Sequence, residues 1–213
     1  MAQLFPPRAD IVVRTVLVVV AAFIAFVPLA VWAFARTPVA TGQYHAERQP
    51  IPFAHTLHVN GLRIDCRYCH AGAERAPMAG LPPTSACVPC HVDGLLRTTL
   101  FAPVRESLST GTPIRWRRVT RLPDFVFFNH AVHVRNGIEC STCHGRVQRM
   151  QEVYQAAPLT MEWCVECHRA PERRLRLTDA DTPDWTRADV AASARLAAQY
   201  DVARLTSCTT CHR

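Results

Sequence analysis

The run Phe128-Asn-His130-Ala-Val-His133-Val-Arg-Asn136-Gly137-Ile-Glu-Cys140-Ser-Thr-Cys143-His144 decides how this chain reads. It opens on two histidines three positions apart and closes on Cys-x-x-Cys-His. The run Phe53-Ala-His55-Thr-Leu-His58-Val-Asn60-Gly61-Leu-Arg-Ile-Asp-Cys66-Arg-Tyr-Cys69-His70 repeats it, Asn-Gly pair included. Each run is followed by a second motif, Cys87-Val-Pro-Cys90-His91 after 21 residues and Cys164-Val-Glu-Cys167-His168 after 24. A further motif, Cys208-Thr-Thr-Cys211-His212, stands alone. The chain is thus a repeat of two two-motif units, with motifs I to V in chain order.

The five motifs use all ten cysteines. Two thiols three positions apart can add to the two vinyl groups on one edge of a porphyrin, and the next residue then presents an imidazole to the iron. Paired Cys-x-x-Cys knuckles also bind zinc, but zinc requires no His after every second Cys. Disulfide pairing would leave the five histidines unexplained. The expected cofactors are therefore five covalently bound haem c groups. They are held by Cys66, Cys69, Cys87, Cys90, Cys140, Cys143, Cys164, Cys167, Cys208 and Cys211, with His70, His91, His144, His168 and His212 as proximal iron ligands.

Five histidines lie outside the motifs: His45, His55, His58, His130 and His133. At helical spacing the two members of each Phe-x-His-x-x-His point in nearby directions from one turn. They can serve as distal ligands to two different haems and so tie those haems together. Four haems are then bis-His and the fifth needs one more ligand. His45, Met78, Met150 and Met161 are the candidates, and a Met between motifs III and IV is favoured, Met150 or Met161. A Met ligand raises the haem potential relative to bis-His, although Met is also a common core filler.

All 24 basic residues are Arg, and the net charge is +7. Each ferric haem with neutral axial ligands adds about −1 through its two propionates, bringing the total to about +2. The Arg excess reads as propionate partners, not as a nucleic-acid footprint, and no basic tract interleaved with aromatics supports nucleic acid as a partner.

Thr15 to Ala35 gives 21 positions without a charge. As a helix that is about 31 Å, enough to cross a bilayer core, with Pro28 as a kink point. Arg8 and Arg14 precede it, so the N-terminus is expected on the cytoplasmic side and the haem region outside. A cleaved signal peptide with Ala33-Phe-Ala35 as its site is the rival reading, and the apolar stretch is longer than a usual signal core. The expected organisation is an anchor at 1–36, a linker at 37–52, a first dihaem unit and connector at 53–127, a second dihaem unit at 128–177, and a C-terminal helix with the fifth haem at 178–213. Thirteen of the sixteen prolines fall in the remainder and break it up. The expected fold is mostly α and irregular, a multihaem cytochrome c with little regular secondary structure plus one N-terminal transmembrane helix. The haems form its apolar core. One longer helix is expected from about Thr186 to Leu205.

Pro50-Ile-Pro-Phe-Ala-His55, Leu122-Pro-Asp-Phe-Val-Phe-Phe-Asn-His130 and Val153-Tyr-Gln-Ala-Ala-Pro-Leu-Thr-Met161-Glu-Trp-Cys164 carry a family resemblance. With one N-terminal span and five motifs at these spacings, the chain resembles the pentahaem cytochrome c subunit of alternative complex III, a quinol-oxidising membrane complex. The resemblance implies a single-pass subunit of the bacterial inner membrane with its haem domain in the periplasm. It implies iron-sulfur and polytopic quinol-oxidising partner subunits, and a soluble cytochrome c, similar carrier or oxidase as acceptor. No catalytic site is expected in this chain itself, because one span without an intramembrane acid or His cannot build a quinone pocket. Three alternatives belong to other classes: a stand-alone membrane-anchored multihaem quinol dehydrogenase, a multihaem reductase of nitrogen or sulfur oxyanions, and a zinc-binding adaptor.

Overall fold

The computed structural model describes residues 6–91, 97–171, 195, 197–199 and 205–212. It divides into two compact units, Met1–Gly42 and Gln43–Arg213. The helix expected at Thr186–Leu205 lies largely outside the described residues.

The first unit is built on helix α1, Pro7–Ala35. Pro7 occupies the first turn, where a missing N–H costs nothing. Arg14 Nε donates to Asp10 Oδ1 one turn back at 3.0 Å. Beyond that pair the helix is apolar all round, and its Val, Leu, Ile and Phe side chains are exposed along its whole length. Pro28 lies within the helix without ending it. A stripe can be buried against a protein core, but a helix apolar on every side asks for lipid. Length and composition suit a membrane span, and equally a signal sequence near the N-terminus. Helix α2, Pro38–Thr41, follows, with Thr37 Oγ1 accepting from Ala40 N and Gly42 ending it at φ 72°.

The second unit is a string of short elements. In chain order they are a π-helix Thr56–Gly61, α3 Cys66–Cys69, a 3-10 turn Thr84–Cys87, a second at Thr99–Phe101, α4 Ala102–Thr110, α5 His130–Arg135, α6 Cys140–His144, a 3-10 turn Val147–Arg149, α7 Met161–Arg169 and α8 Cys208–Cys211. Several start on a capping side chain that satisfies an orphan N–H. Asp65 Oδ1 accepts from Arg67 N at 2.7 Å, Asn129 Oδ1 from Val132 N at 3.4 Å and Thr160 Oγ1 from Trp163 N at 3.4 Å. The caps start helices at Cys66, His130 and Met161, so sequence chemistry places the motif and His-pair residues on defined turns.

Among the described residues there are no strands, only isolated bridges between Gln43 and Gln155, Ala46 and Tyr154, and Val126 and His212. Buried apolar side chains are few among the described residues: Ile51, Ala73, Val104, Ala131, Met150 and Ala157. Packing among the described residues alone does not give this unit a core of ordinary size, and backbone hydrogen bonds between loops join its segments.

The two repeat runs fold alike with one difference. The second His pair sits on an α-helix, the first on a π-helix. Phe53 precedes Cys66 by 13 positions and Phe128 precedes Cys140 by 12. A π turn is the way a helix absorbs one inserted residue. The run then returns to register: Ile64 N donates to His58 O at 3.1 Å and Ile138 N to His133 O at 3.1 Å. The Asn-Gly pairs that the two runs share do not correspond in space. Gly137 takes a left-handed φ of 79° just before Ile138, and it is Arg63, at φ 58°, that takes this position before Ile64.

Candidate functional site

The motif cysteines lie on α3, α6, α7 and α8, and in motif II at the end of the Thr84–Cys87 turn and just beyond it. Around them the histidines come together in twos. The ring centres of His58 and His91 are 6.1 Å apart, those of His130 and His144 6.3 Å, and those of His133 and His168 6.0 Å. Each pair joins one member of a Phe-x-His-x-x-His to the histidine of a motif. An imidazole nitrogen bonds a first-row metal at about 2.0–2.1 Å, with the ring centre about 1.1 Å behind it, so two imidazoles on opposite sides of one iron have centres about 6.3 Å apart. The interplanar angles of 43°, 7° and 73° are all compatible, because each ring turns freely about its metal–nitrogen axis. Among the described residues no three or more His, Cys, Asp or Glu side chains gather around one point. The residues present fit haem: His58 with His91, His130 with His144 and His133 with His168 would each supply two imidazoles to one iron.

Tautomers agree with that fit. Nδ1 of His58 lies 2.9 Å from Ala54 O, that of His70 2.9 Å from Gly80 O, that of His130 2.9 Å from Pro77 O and that of His133 2.8 Å from Asn129 O. His212 Nδ1 lies 3.2 Å from Phe125 O. A carbonyl only accepts, so in each case Nδ1 carries the proton and donates it, leaving Nε2 with its lone pair for a metal. Nδ1 of His55 and of His91 is buried without a partner. Burial, reinforced by the nearby His70 and His58, pushes the His55 pKa down to about 4. Burial also lowers His144, with His130 and His70 adding to the effect, and it lowers His133 against the opposing hydrogen bond to Asn129. These rings stay neutral at neutral pH, the form in which imidazole binds iron.

Sequence reasoning named the phenylalanines of the two runs but gave them no role. Phe53 stacks on His58 at 4.2 Å and meets His55 edge-on at 4.8 Å. Phe128 treats His133 and His130 the same way, at 4.4 and 4.7 Å. One aromatic ring therefore sets the orientation of two imidazoles. Phe101 packs on His91 at 4.8 Å and Phe125 on His212 at 5.7 Å. The carbonyl acceptors Ala54, Pro77, Gly80, Phe125 and Asn129 were missed altogether.

The candidates for a fifth distal ligand are dispersed. Met150 is 5% exposed and its Cε packs over Gly145. Met161 opens α7 with 71% exposure and Met78 is 60% exposed. His45 is exposed in the segment bridged to 154–155.

Two comparisons bear on this site. Residues 126–213, with the His130/His133 pair and three of the five motifs, match the family described as cytochrome c7 and related cytochrome c. This part of the chain is cytochrome c7-like, and that family implies covalently attached haem. The chain is also similar to the multihaem cytochrome c subunit of a menaquinone reductase from Nitratidesulfovibrio vulgaris, at 38% identity over 114 residues. That alignment covers 53% of this chain and 51% of the relative, so the chain spans about half the length of the curated protein it matches.

Proposed function

We propose that this cytochrome carries five haem c groups, one per motif. In this reading it serves as the membrane-anchored, periplasmic electron-transfer subunit of a quinol-oxidising complex of the alternative complex III type. The observation that carries the reading is the set of three opposed imidazole pairs with ring centres 6.0–6.3 Å apart. An iron closed on both faces has no place for a substrate, which suits outer-sphere transfer and not reduction of a bound oxyanion. When bound, haem supplies one-electron chemistry. The chain's own residues supply the rest. His70, His91, His144, His168 and His212 act as proximal ligands, and His58, His130 and His133 as distal ligands opposite His91, His144 and His168. His55 serves the iron of motif I, in keeping with the effect of His70 on its pKa. Backbone carbonyls fix the Nδ1 protons, and Phe53 and Phe128 hold the rings.

Met161 is favoured over Met150 as the fifth distal ligand. Met150 is committed to packing over Gly145, whereas Met161 is free of the core, three positions before Cys164.

Helix α1 suits a single span in the bacterial inner membrane. Quinone chemistry would belong to polytopic and iron-sulfur partner subunits, with a soluble cytochrome c or similar carrier at the other end. The similarity to the menaquinone reductase subunit favours a second reading with the same relay, in which the partner complex reduces menaquinone.

The test uses the detergent-solubilised full chain. A mass excess of five haems should survive acid-acetone extraction, and every iron should be low-spin. Carbon monoxide should bind none of the reduced haems appreciably, and the isolated chain should not oxidise quinol. Loss of colour on extraction would refute covalent attachment. Steady quinol oxidation by the chain alone would instead make it a stand-alone dehydrogenase.

A further inference from the structure

The two repeat units hold each other reciprocally. From the second unit, His130 N donates to Pro77 O at 3.1 Å, Ala131 N to Ala76 O at 3.2 Å and His130 Nδ1 to Pro77 O at 2.9 Å. Arg135 Nε donates to Glu74 O at 2.8 Å. All three acceptors, Glu74 O, Ala76 O and Pro77 O, lie in the loop that follows motif I. From the first unit, Thr56 Oγ1 donates to Gln151 Oε1 at 3.1 Å, beside the turn that follows motif III. These contacts join equivalent places. Thr56 holds the position of Ala131 within its His pair, each following the first histidine. Gln151 lies seven residues after His144, as Pro77 lies seven after His70. Each His-pair helix thus docks on the loop behind the other unit's first motif.

At the centre of this arrangement one loop joins the histidines of motifs I and III: His70 Nδ1 donates to Gly80 O at 2.9 Å, and His130, whose Nδ1 donates to Pro77 O of the same loop at 2.9 Å, faces His144 at 6.3 Å. Motif II adjoins motif I, since His58 faces His91 at 6.1 Å while its carbonyl accepts from Ile64 N at 3.1 Å, two residues before Cys66, and motif V lies against the segment that enters the second His pair, where Phe127 N donates to Cys211 O at 2.8 Å. The His130/His133 pair links motifs III and IV from a single helix, its rings facing His144 and His168.

We propose that the two units join through motifs I and III, so that the first four attachment sites stand in space in the order II, I, III, IV. Chain order is not the order of the relay. The junction between its halves falls where His130 docks on the loop after motif I, and motif II is an end of this row, not an interior link. This rests on the five-haem reading above.

Magnetic coupling in the ferric holoprotein tests it. Two full-length variants, Cys66→Ala with Cys69→Ala and Cys87→Ala with Cys90→Ala, are compared with the wild type by low-temperature electron paramagnetic resonance after their haem content is confirmed by mass. Loss of the motif I haem should change the signals of two neighbours, and loss of the motif II haem should change one. The reverse pattern, two neighbours for motif II and one for motif I, would overturn the order. Should a haem-deleted variant fail to fold, the junction is tested by Thr56→Cys with Gln151→Cys in the otherwise intact chain. A disulfide found by peptide mass with five haems retained supports the reciprocal docking, and two free thiols overturn it. A wild-type mass excess of fewer than five haems would count against the five-haem reading itself, separately from the order.

Discussion

The run from Phe53 to His70 and the run from Phe128 to His144 perform the same task with different backbones. The aromatic geometry is nearly identical: stacked rings at 25° and 29°, edge-on rings at 81° and 88°. The helices beneath differ, one π and one α, because the first run is one residue longer. Placement of the imidazoles is thus set by the phenylalanine and the start of the turn, while the insertion is absorbed downstream. Another contrast concerns the first histidine of each pair. His130 Nδ1 is tied to Pro77 O, whereas His55 Nδ1 is buried without a partner. Equivalent positions differ in how firmly the ring is held, and a ligand whose second nitrogen is tied is better oriented for its metal.

The largest expected effect comes from removing those two histidines. His55→Ala and His130→Ala should each turn one low-spin iron high-spin. His130→Ala should cost about 1 kcal/mol more, because it also removes the bond to Pro77 that helps tie the two units. Electron paramagnetic resonance counts the opened iron, and denaturant titration of the holoprotein ranks the two losses. Equal losses would show that the Pro77 contact contributes nothing, and the contrast between the runs would then be one of shape alone.

Replacing the phenylalanines should have a smaller and more equal effect. Phe53→Ala and Phe128→Ala each remove a stacked and an edge-on contact from half-buried rings, for about 2–3 kcal/mol apiece. Similar geometry predicts values within about 1 kcal/mol of each other. Thermal denaturation followed at the Soret band provides the measurement. A much larger loss for Phe53 would mean that the π turn depends on its aromatic ring in a way the α turn does not.

Much of the site was legible in the sequence, and what escaped has a common cause. The Cys-x-x-Cys-His motifs and the His pairs are written in side-chain identity at fixed spacing, so they can be read directly. The partnership of His58 with His91, or of His133 with His168, is tertiary and leaves no local periodicity. Pro77, Gly80 and Ala54 act through their carbonyls, which every residue type has, so no composition signal marks them. The π turn was visible only as a one-residue difference in length. The shared Asn-Gly concealed it by suggesting the wrong register: Gly61 and Gly137 match in type, yet Arg63 is the residue in the left-handed position. The low helix content and absence of strands among the described residues followed from the prolines and the motif spacing.

That mismatch gives the smallest and sharpest contrast. A residue with a Cβ at φ near +60° crowds its own carbonyl, at a cost of about 1–2 kcal/mol, which glycine avoids. Gly137 meets that requirement at φ 79°, whereas Arg63 carries a side chain at φ 58°. The Arg63 side chain is exposed, so replacing it removes little packing. Arg63→Gly should therefore stabilise the protein, by about 0.5–1 kcal/mol once the added freedom of glycine in the unfolded chain is counted against the relieved strain. Gly137→Ala should destabilise it by about 1 kcal/mol. Neither change touches an imidazole, so the low-spin spectrum should be unaltered in both while the denaturation midpoints move in opposite directions. If both variants lose stability, the left-handed turn before Ile64 is held by its arginine and not merely endured. The two runs would then differ in how they turn toward their cysteines as well as in length.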